Sequence, residues 1–369
     1  MNQARASLAV LGVVVMVAGW PLSLRAGPAE ANEVKLKAET LNNIASVVTP
    51  RKVRPEKAFF SFQGAKGNIQ VAGQSVAAGA MLTTAGRLFG LDQDGDGKIE
   101  AKDLSPLTIE GVAGAKVQLP GDGKKREAAL YFTHLLVGQG ENAKVTFVSG
   151  RVFSATCYRG AVSGVPVRVV DDNLDGKIAQ DGTDAIFVGS GSVAMPLMKV
   201  HQIGNARYEL KVAEDGSTLA YTRITDEKTG VVDAPLLRSS GVRSVIVTDA
   251  ATGRCLDLVT SKGAVPAGTY SLAYGVIPNG RDFVAILPTA KTPTYEVQAD
   301  STNTLRLGPP LRLTFSASVV NNEIKISPSL AVLGSGSELY AVDYRGMSQP
   351  MVVMMDGSRV LITDAMGYG

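Results

Sequence analysis

Strand-like segments separated by short turns recur from Ala128 to Tyr344, and two of them run directly into and out of one acidic loop. Val165 to Val170 ends at Asp171, and Ala185 to Val188 begins just after Asp184. Apolar and polar residues alternate at a period of two, the pattern of strands with one buried face. Turn signals at intervals of about 8–12 residues point to sandwiches or barrels rather than a parallel sheet with crossover helices. The expected class is mainly β, with two or more sandwich-like antiparallel domains and little helix.

Other segments extend the pattern. Ala58 to Phe62 and Asn68 to Val71 read as short strands about a Gly64–Gly67 turn. Lys144 to Tyr158 reads as one long strand. Tyr208 to Val212 and Ser217 to Thr225 read as a hairpin about Asp215-Gly216, a good short-range hairpin signal. Leu305 to Ser318, Glu323 to Ile326 and Glu338 to Tyr344 continue it, with Pro309-Pro310 marking an edge. Residues 74 to 90 could form a helix entering the first acidic loop, although Gly79 and Thr83-Thr84 weaken it and a strand carrying the loop fits better.

That first loop spans Asp92 to Asp103. Asp92, Asp94, Asp96, Glu100 and Asp103 occupy the first, third, fifth, ninth and twelfth positions. Gly97 permits the sharp turn, the Lys98 carbonyl follows it, and Ile99 can anchor the loop. Hard cations such as calcium take 6–8 oxygen ligands from a loop of this spacing. Asp103 in the closing position is shorter than the usual Glu, which helps magnesium compete.

The second loop repeats Asp-x-Asn-x-Asp-Gly-Lys-Ile with Asp171, Asn173, Asp175, Gly176, the Lys177 carbonyl and Ile178. It then departs from the pattern, because Ala179 and Gly182 stand in the ninth and twelfth positions. Asp181 and Asp184 are the nearest acids, and Asp184 would close a loop two residues longer. The first loop is therefore expected to bind calcium more tightly than the second.

Catalytic signals are sparse. There are two histidines, His134 and His201, both in apparent strands, and no His-Glu-x-x-His motif. Gly189-Ser-Gly-Ser192 and Gly334-Ser-Gly-Ser337 lack the nucleophile-elbow pattern. A near-neutral formal charge of +3 argues against nucleic acid. The two cysteines, Cys157 and Cys255, are either a disulfide pair or buried thiols.

The N-terminus has a short basic segment from Met1 to Ser7, an apolar run from Leu8 to Trp20, and Ala29-Glu30-Ala31 as a cleavage site. This is the layout of a secretory signal peptide, and the run is too short to span a bilayer. The expected organisation is a signal peptide at 1–31, a linker or N-terminal arm at 32–57, a β domain with both loops at 58–235, and a β-sandwich at 236–369.

Near the C-terminus, Ser244 to Thr248, the turn Asp249-Ala-Ala-Thr-Gly253 and Val265-Pro-Ala-Gly-Thr-Tyr270 form a signature. It resembles the prealbumin-like and carboxypeptidase-regulatory sandwiches. With its leader and acidic loops, the chain resembles exported bacterial proteins that carry EF-hand-type loops on β domains. The resemblance implies calcium as cofactor at the matched loop residues. It implies no activity, and the wide spacing of the loops sets the chain apart from dockerins. The leading expectation is an exported calcium-binding structural or binding protein with an unidentified protein or envelope partner. The alternative is a secreted or periplasmic hydrolase.

Overall fold

The computed structural model describes residues 31–41, 47–54, 58–71, 74–83, 86–92, 96, 98–106, 112–119, 126–139, 144–239, 241–262, 264–279, 282–315, 317–320, 323–326, 331–341 and 351–365. The expected leader lies outside them. These residues are mainly β, and almost every pairing is antiparallel. The exceptions are Val200–Ile203 beside Arg254–Asp257, Thr229–Asp233 beside Thr302–Thr304, and an isolated bridge between Val48 and Val193.

The first acidic loop belongs to a sandwich of two four-stranded sheets. One sheet orders Phe59–Gln63, Val145–Ser154, Arg126–Gln139 and Val112–Leu119. The other orders Lys66–Val71, Gln74–Thr83, Gly86–Leu91 and Leu104–Pro106. Phe60, Ile69, Phe89, Leu91, Leu130 and Phe132 fill the space between them. The Phe89 and Phe132 rings meet edge-on, 5.1 Å between centroids, a favourable aromatic geometry.

A twelve-stranded sheet forms the second part. Over part of it lies a five-stranded sheet ordered Met195–Pro196, Ala185–Val188, Val165–Val170, Thr156–Val162 and Lys37–Thr40. Val167, Val169 and Ile186 from this sheet share a core with Leu210, Leu219 and Ile246 from the larger one. A further core gathers Val245, Leu256, Tyr270 and Leu272 with Val232 and Leu305. The larger sheet runs through the expected division between 235 and 236, since Val200 and His201 pair with Arg254 and Cys255.

Several sequence expectations change. Of the two readings of residues 74 to 90, the strand holds and the helix does not: Gln74–Thr83 is a strand whose Ala78–Thr83 part pairs antiparallel with Gly86–Leu91. The segment 32–57 is more ordered than a linker. Asn32–Lys35 pairs with Thr218–Ile224, and Lys37–Thr40 pairs with Thr156–Val162, so the arm adds an edge strand to each of two sheets. The expected strand from Lys144 to Tyr158 is two strands in different sheets, separated at buried Ala155, whose carbonyl accepts the Leu41 N–H. Leu305 to Ser318 is not one strand: Leu305 and Leu307 are buried as core plugs, a short edge strand follows at Arg312–Thr314, and Ala317–Val320 pairs with Glu323–Ile326 in a separate two-stranded sheet.

Cys157 and Cys255 are free thiols. They are buried in different hydrophobic clusters, so the candidate disulfide does not form. Burial pushes both thiols up from their ordinary range, Cys157 to about 11, which leaves them as poor nucleophiles.

Candidate metal centre

The first acidic loop joins two neighbouring antiparallel strands, with Gly90 opposite Leu104. Asp92 and Asp103 are buried at its base, while Asp96, Lys98 and Glu100 are exposed. Asp94 and Gly97 lie outside the described residues. The loop is closed by a reciprocal pair of bonds. The Glu100 N–H donates to Asp103 Oδ2 at 2.9 Å, and the Asp103 N–H returns to the Glu100 carbonyl at 3.1 Å. The Lys98 N–H donates to Asp96 Oδ1 at 2.7 Å, a local turn that the Asp side chain favours. Ile99 packs over Gly79, where a Cβ would come within 2.9 Å of its side chain. Glu100 and Lys102 pair at 3.1 Å, but both are more than half-exposed or nearly so, and such pairs are weak.

The second loop joins Val165–Val170 to Ala185–Val188, with Val170 opposite Ala185 as the last register pair. Asp171 and Asp184 therefore stand at the mouth of the hairpin, and both are buried. Asp171 accepts the Gly176 N–H at 2.9 Å and the Asp175 N–H at 3.2 Å. Asp184 accepts the Ala179 N–H at 2.7 Å and the Asp172 N–H at 3.0 Å. Asn173 accepts the Asp175 N–H and donates to Asp175 Oδ2, each at 2.9 Å. Gly176, at φ +83°, takes the left-handed turn that the motif needs.

Asp184, not Asp181, closes the loop. Asp181 is exposed and its carboxylate accepts the Thr183 hydroxyl and N–H. The two extra residues are accommodated by Gln180, which donates to the Leu210 carbonyl at 2.8 Å and accepts the Val212 N–H at 3.0 Å. Ile178 is buried, and its N–H donates to the Glu214 carbonyl at 2.8 Å.

The electrostatics follow from this burial. Desolvation pushes the Asp184 carboxyl up to about 8, with the Ala179 bond opposing and the Asp171 charge adding to the rise. Desolvation also lifts Asp171 to about 6, opposed by the Gly176 bond and assisted by Asp175. Both carboxyls therefore hold a proton to higher pH than an exposed aspartate does, Asp184 more so than Asp171.

Sequence reasoning missed a neighbouring cluster. Asp172 is fully buried and accepts the Arg51 N–H at 2.7 Å and a bond from the Thr49 side chain. The Arg51 guanidinium donates to the carbonyls of Asn173 at 2.8 Å and Val152 at 3.2 Å. Lys52 donates to the Val47 carbonyl at 2.8 Å and sits over the Tyr131 and Phe153 rings at 5.4 and 5.7 Å. Burial lowers Lys52 to about 8, with the charge of Asp172 opposing. Leu174, in the same loop, is buried in the core of the first sandwich. One hairpin loop thus touches the first sandwich through Leu174, the arm through Asp172, and the second core through Ile178. Pro50-Arg51-Lys52 carried a signal, because Pro at a helix start beside a Thr cap favours the single turn Pro50–Val53.

The remaining expected site residues serve packing. The Lys177 ammonium pairs with exposed Glu214 at 3.6 Å, which leaves its carbonyl as its part in the motif. His201 is buried inside the twelve-stranded sheet, its Nε2 accepting the Met198 N–H at 2.9 Å, and burial lowers it to about 4. The side chain of His134 lies outside the described residues.

The C-terminal signature has a local cause. The Asp249 carboxylate accepts the Thr252 hydroxyl at 2.7 Å and the Ala251 N–H at 3.0 Å. Gly268 leaves room for that carboxylate, since a Cβ would come within 3.0 Å of Asp249 Oδ2. Tyr270 is buried, and its hydroxyl donates to the Pro266 carbonyl at 3.0 Å.

Among the described residues, no three acidic, histidine or cysteine side chains converge as a ready-made metal cage. In the second loop the oxygens are turned onto the loop's own N–H groups. The chemistry of that donor set still fits a hard divalent cation, because Asp171, Asn173, Asp175, Asp184 and the Lys177 carbonyl offer only oxygen. The fold defines the chain as a mainly β protein of packed sheets. No protein-family model, curated protein or solved structure matches it. No helix among the described residues is long and apolar enough to cross a membrane.

Proposed function

We propose that the chain is an exported calcium-binding structural or binding protein of the cell envelope or extracellular space, and that calcium at the two acidic hairpin loops orders the fold. The observation that carries this reading is the buried pair Asp171 and Asp184, both raised by desolvation at the mouth of one hairpin. Two carboxyl groups in such a place destabilise the folded chain when both are ionised, and a divalent cation removes that penalty. Asp171, Asn173, Asp175 and Asp184 would supply side-chain oxygens, and Lys177 its carbonyl. In the first loop, Asp92, Asp94, Asp96, Glu100 and Asp103 would do so, with the Lys98 carbonyl.

Calcium bound there supplies charge and coordination, not a reaction. The loop residues then hold neighbouring elements in place. The second loop carries the larger mechanical role, because Leu174, Asp172 and Ile178 each enter a different packed region. The leader-like pattern at 1–31 fits the same reading, since an exported chain would meet a calcium-rich compartment.

Isothermal titration of the full chain with calcium tests the proposal. Heat of binding at sub-millimolar calcium, with a melting temperature lowered by chelator, is the expected result. Absence of heat up to several millimolar calcium, with melting unchanged by chelator, would overturn it.

A further inference from the structure

A pocket of about 270 Å³ opens on the face of the five-stranded sheet opposite the main core. Its floor is apolar. Cys157 lies there with Leu41, and Pro166 forms a wall. Its polar lining is dominated by Arg159 and Arg168, with Glu39 and Ser190 beside them.

The two arginines are direct cross-strand neighbours. Arg159 is the register partner of Arg168 in the antiparallel pair, so both side chains leave the same face. Like charges in this position destabilise a sheet. Glu39 offsets one of them, pairing with Arg159 at 3.5 Å, but both members of that pair are substantially exposed. Arg168 is held differently. Its Nη2 donates to the Gly191 carbonyl at 2.7 Å, and its guanidinium lies over the Phe187 ring at 4.6 Å from the centroid. Among the described residues, no carboxylate forms an ion pair with Arg168. The fold thus fixes one guanidinium with its charge unmatched, places a second beside it, and leaves a cavity over both.

We propose that this pocket binds a small ligand bearing an oxyanion, a carboxylate or phosphate group, held between Arg159 and Arg168. Guanidinium groups present planar donor pairs that match both oxyanions. A single anion between the two arginines would turn a cross-strand repulsion into two charge-assisted contacts, with the Ser190 hydroxyl available as a further donor. The apolar floor at Cys157 and Leu41 would take the body of the ligand. None of the described residues that line the pocket belongs to either acidic loop.

Melting of the full chain with sodium phosphate and with sodium succinate, each against sodium chloride at matched ionic strength, tests the proposal. Chelator is kept in all samples so that calcium phosphate cannot form. At least one probe should raise the melting temperature saturably. At tenfold excess over its dissociation constant, the folded-to-unfolded ratio should rise about elevenfold. Phosphate alone acting identifies a phosphate-bearing ligand, and succinate alone acting identifies a carboxylate. Arg159→Gln is exposed and should leave the unliganded melting temperature almost unchanged while removing most of the probe's effect. Arg168→Gln should remove it too, with some loss of stability from the Phe187 contact. Stabilisation by neither probe beyond chloride would overturn the proposal, and so would equal stabilisation of wild type and Arg159→Gln.

Discussion

Asp184 faces Asp171 across the open end of a hairpin, one step beyond the register pair Val170 and Ala185, and the Asp171 charge adds to burial in raising the Asp184 carboxyl to about 8. A loop that misses an acid in its twelfth position recovers one in its fourteenth, because the strands bring the two ends together. The second loop is therefore closed by an acid that its sequence spacing does not reveal.

The first prediction separates the loops by calcium. Asp184→Asn should abolish the calcium-dependent part of stability contributed by the second loop, while Asp92→Ala should do so for the first. Ligand present at tenfold to hundredfold excess over its dissociation constant stabilises by about 1.4–2.7 kcal/mol per site. Each substitution should lower the melting temperature in calcium by more than it does in chelator. Melting curves of the single and double variants in both buffers check this, and identical losses in the two buffers would remove calcium from the account.

The second prediction is a pH dependence. Asp184 has a folded value near 8 against an ordinary 3.8, so the folded state binds its proton more tightly than the unfolded chain does. Its stabilising contribution is complete below pH 3.8 and is lost as pH rises towards and through about 8. Asp171 behaves alike but over a lower window, ending near 6. His201 acts oppositely, because a value lowered to about 4 from 6.5 costs stability as pH falls through that range. Between pH 6.5 and 8 the Asp184 effect should stand alone among these three. In chelator, stability should fall across that window, and Asp184→Asn should flatten the slope. Calcium should flatten it as well, since the cation favours the ionised carboxylate.

Much of the β class was legible because alternation survives wherever one face of a strand is buried. Val165–Val170, Ala185–Val188 and the hairpin turning at Asp215-Gly216 are where period-two patterning and turn chemistry put them. The arm was not legible. Lys37–Thr40 is an edge strand with mostly exposed side chains, and its order comes from backbone pairing to Thr156–Val162, which leaves little trace in side-chain pattern. The break at Ala155 was hidden for the opposite reason, since apolar residues continue across it into a second sheet. At the candidate site, spacing identified Asp171, Asn173 and Asp175. Asp172 looked like one more loop acid. Its burial against Arg51, far away in the chain, is a tertiary fact that no local pattern encodes.

The third prediction concerns that junction. Leu174 is only 3% exposed, so Leu174→Ala should cost about 2–5 kcal/mol, the range for truncating a buried Leu. Arg51→Ala removes the guanidinium bonds to the Asn173 and Val152 carbonyls, together with one of the two cations, Arg51 and Lys52, that favour the buried Asp172 carboxylate, and should cost about 1–3 kcal/mol. Asp172→Asn should relieve part of the second loss, so the Arg51→Ala and Asp172→Asn double variant should be more stable than the sum of the singles. Urea denaturation of the cycle measures this. Strict additivity would mean that Arg51 and Asp172 do not act as a pair.

The last prediction tests how tightly the first loop is built onto its hairpin, using two glycines that the same loop covers. A Cβ at Gly90 would run into the carbonyl oxygen of Asp103, a backbone atom at the closing residue of the loop. A Cβ at Gly79 would instead meet the Ile99 side chain at 2.9 Å, and a side chain can move aside. Gly90→Ala therefore forces the Leu104–Pro106 strand away from Gly86–Leu91, while Gly79→Ala asks only for a shift of Ile99. Overpacking of this kind costs about 1–3 kcal/mol when side chains absorb it, and backbone displacement adds to that. Gly90→Ala should fall above the range and Gly79→Ala within or below it. Calcium affinity should follow the same order, because moving Asp103 displaces the acid that closes the loop and moving Ile99 does not. Urea denaturation gives the first comparison and calcium calorimetry the second. Equal effects at the two glycines would show that the loop tolerates displacement of its closing residue.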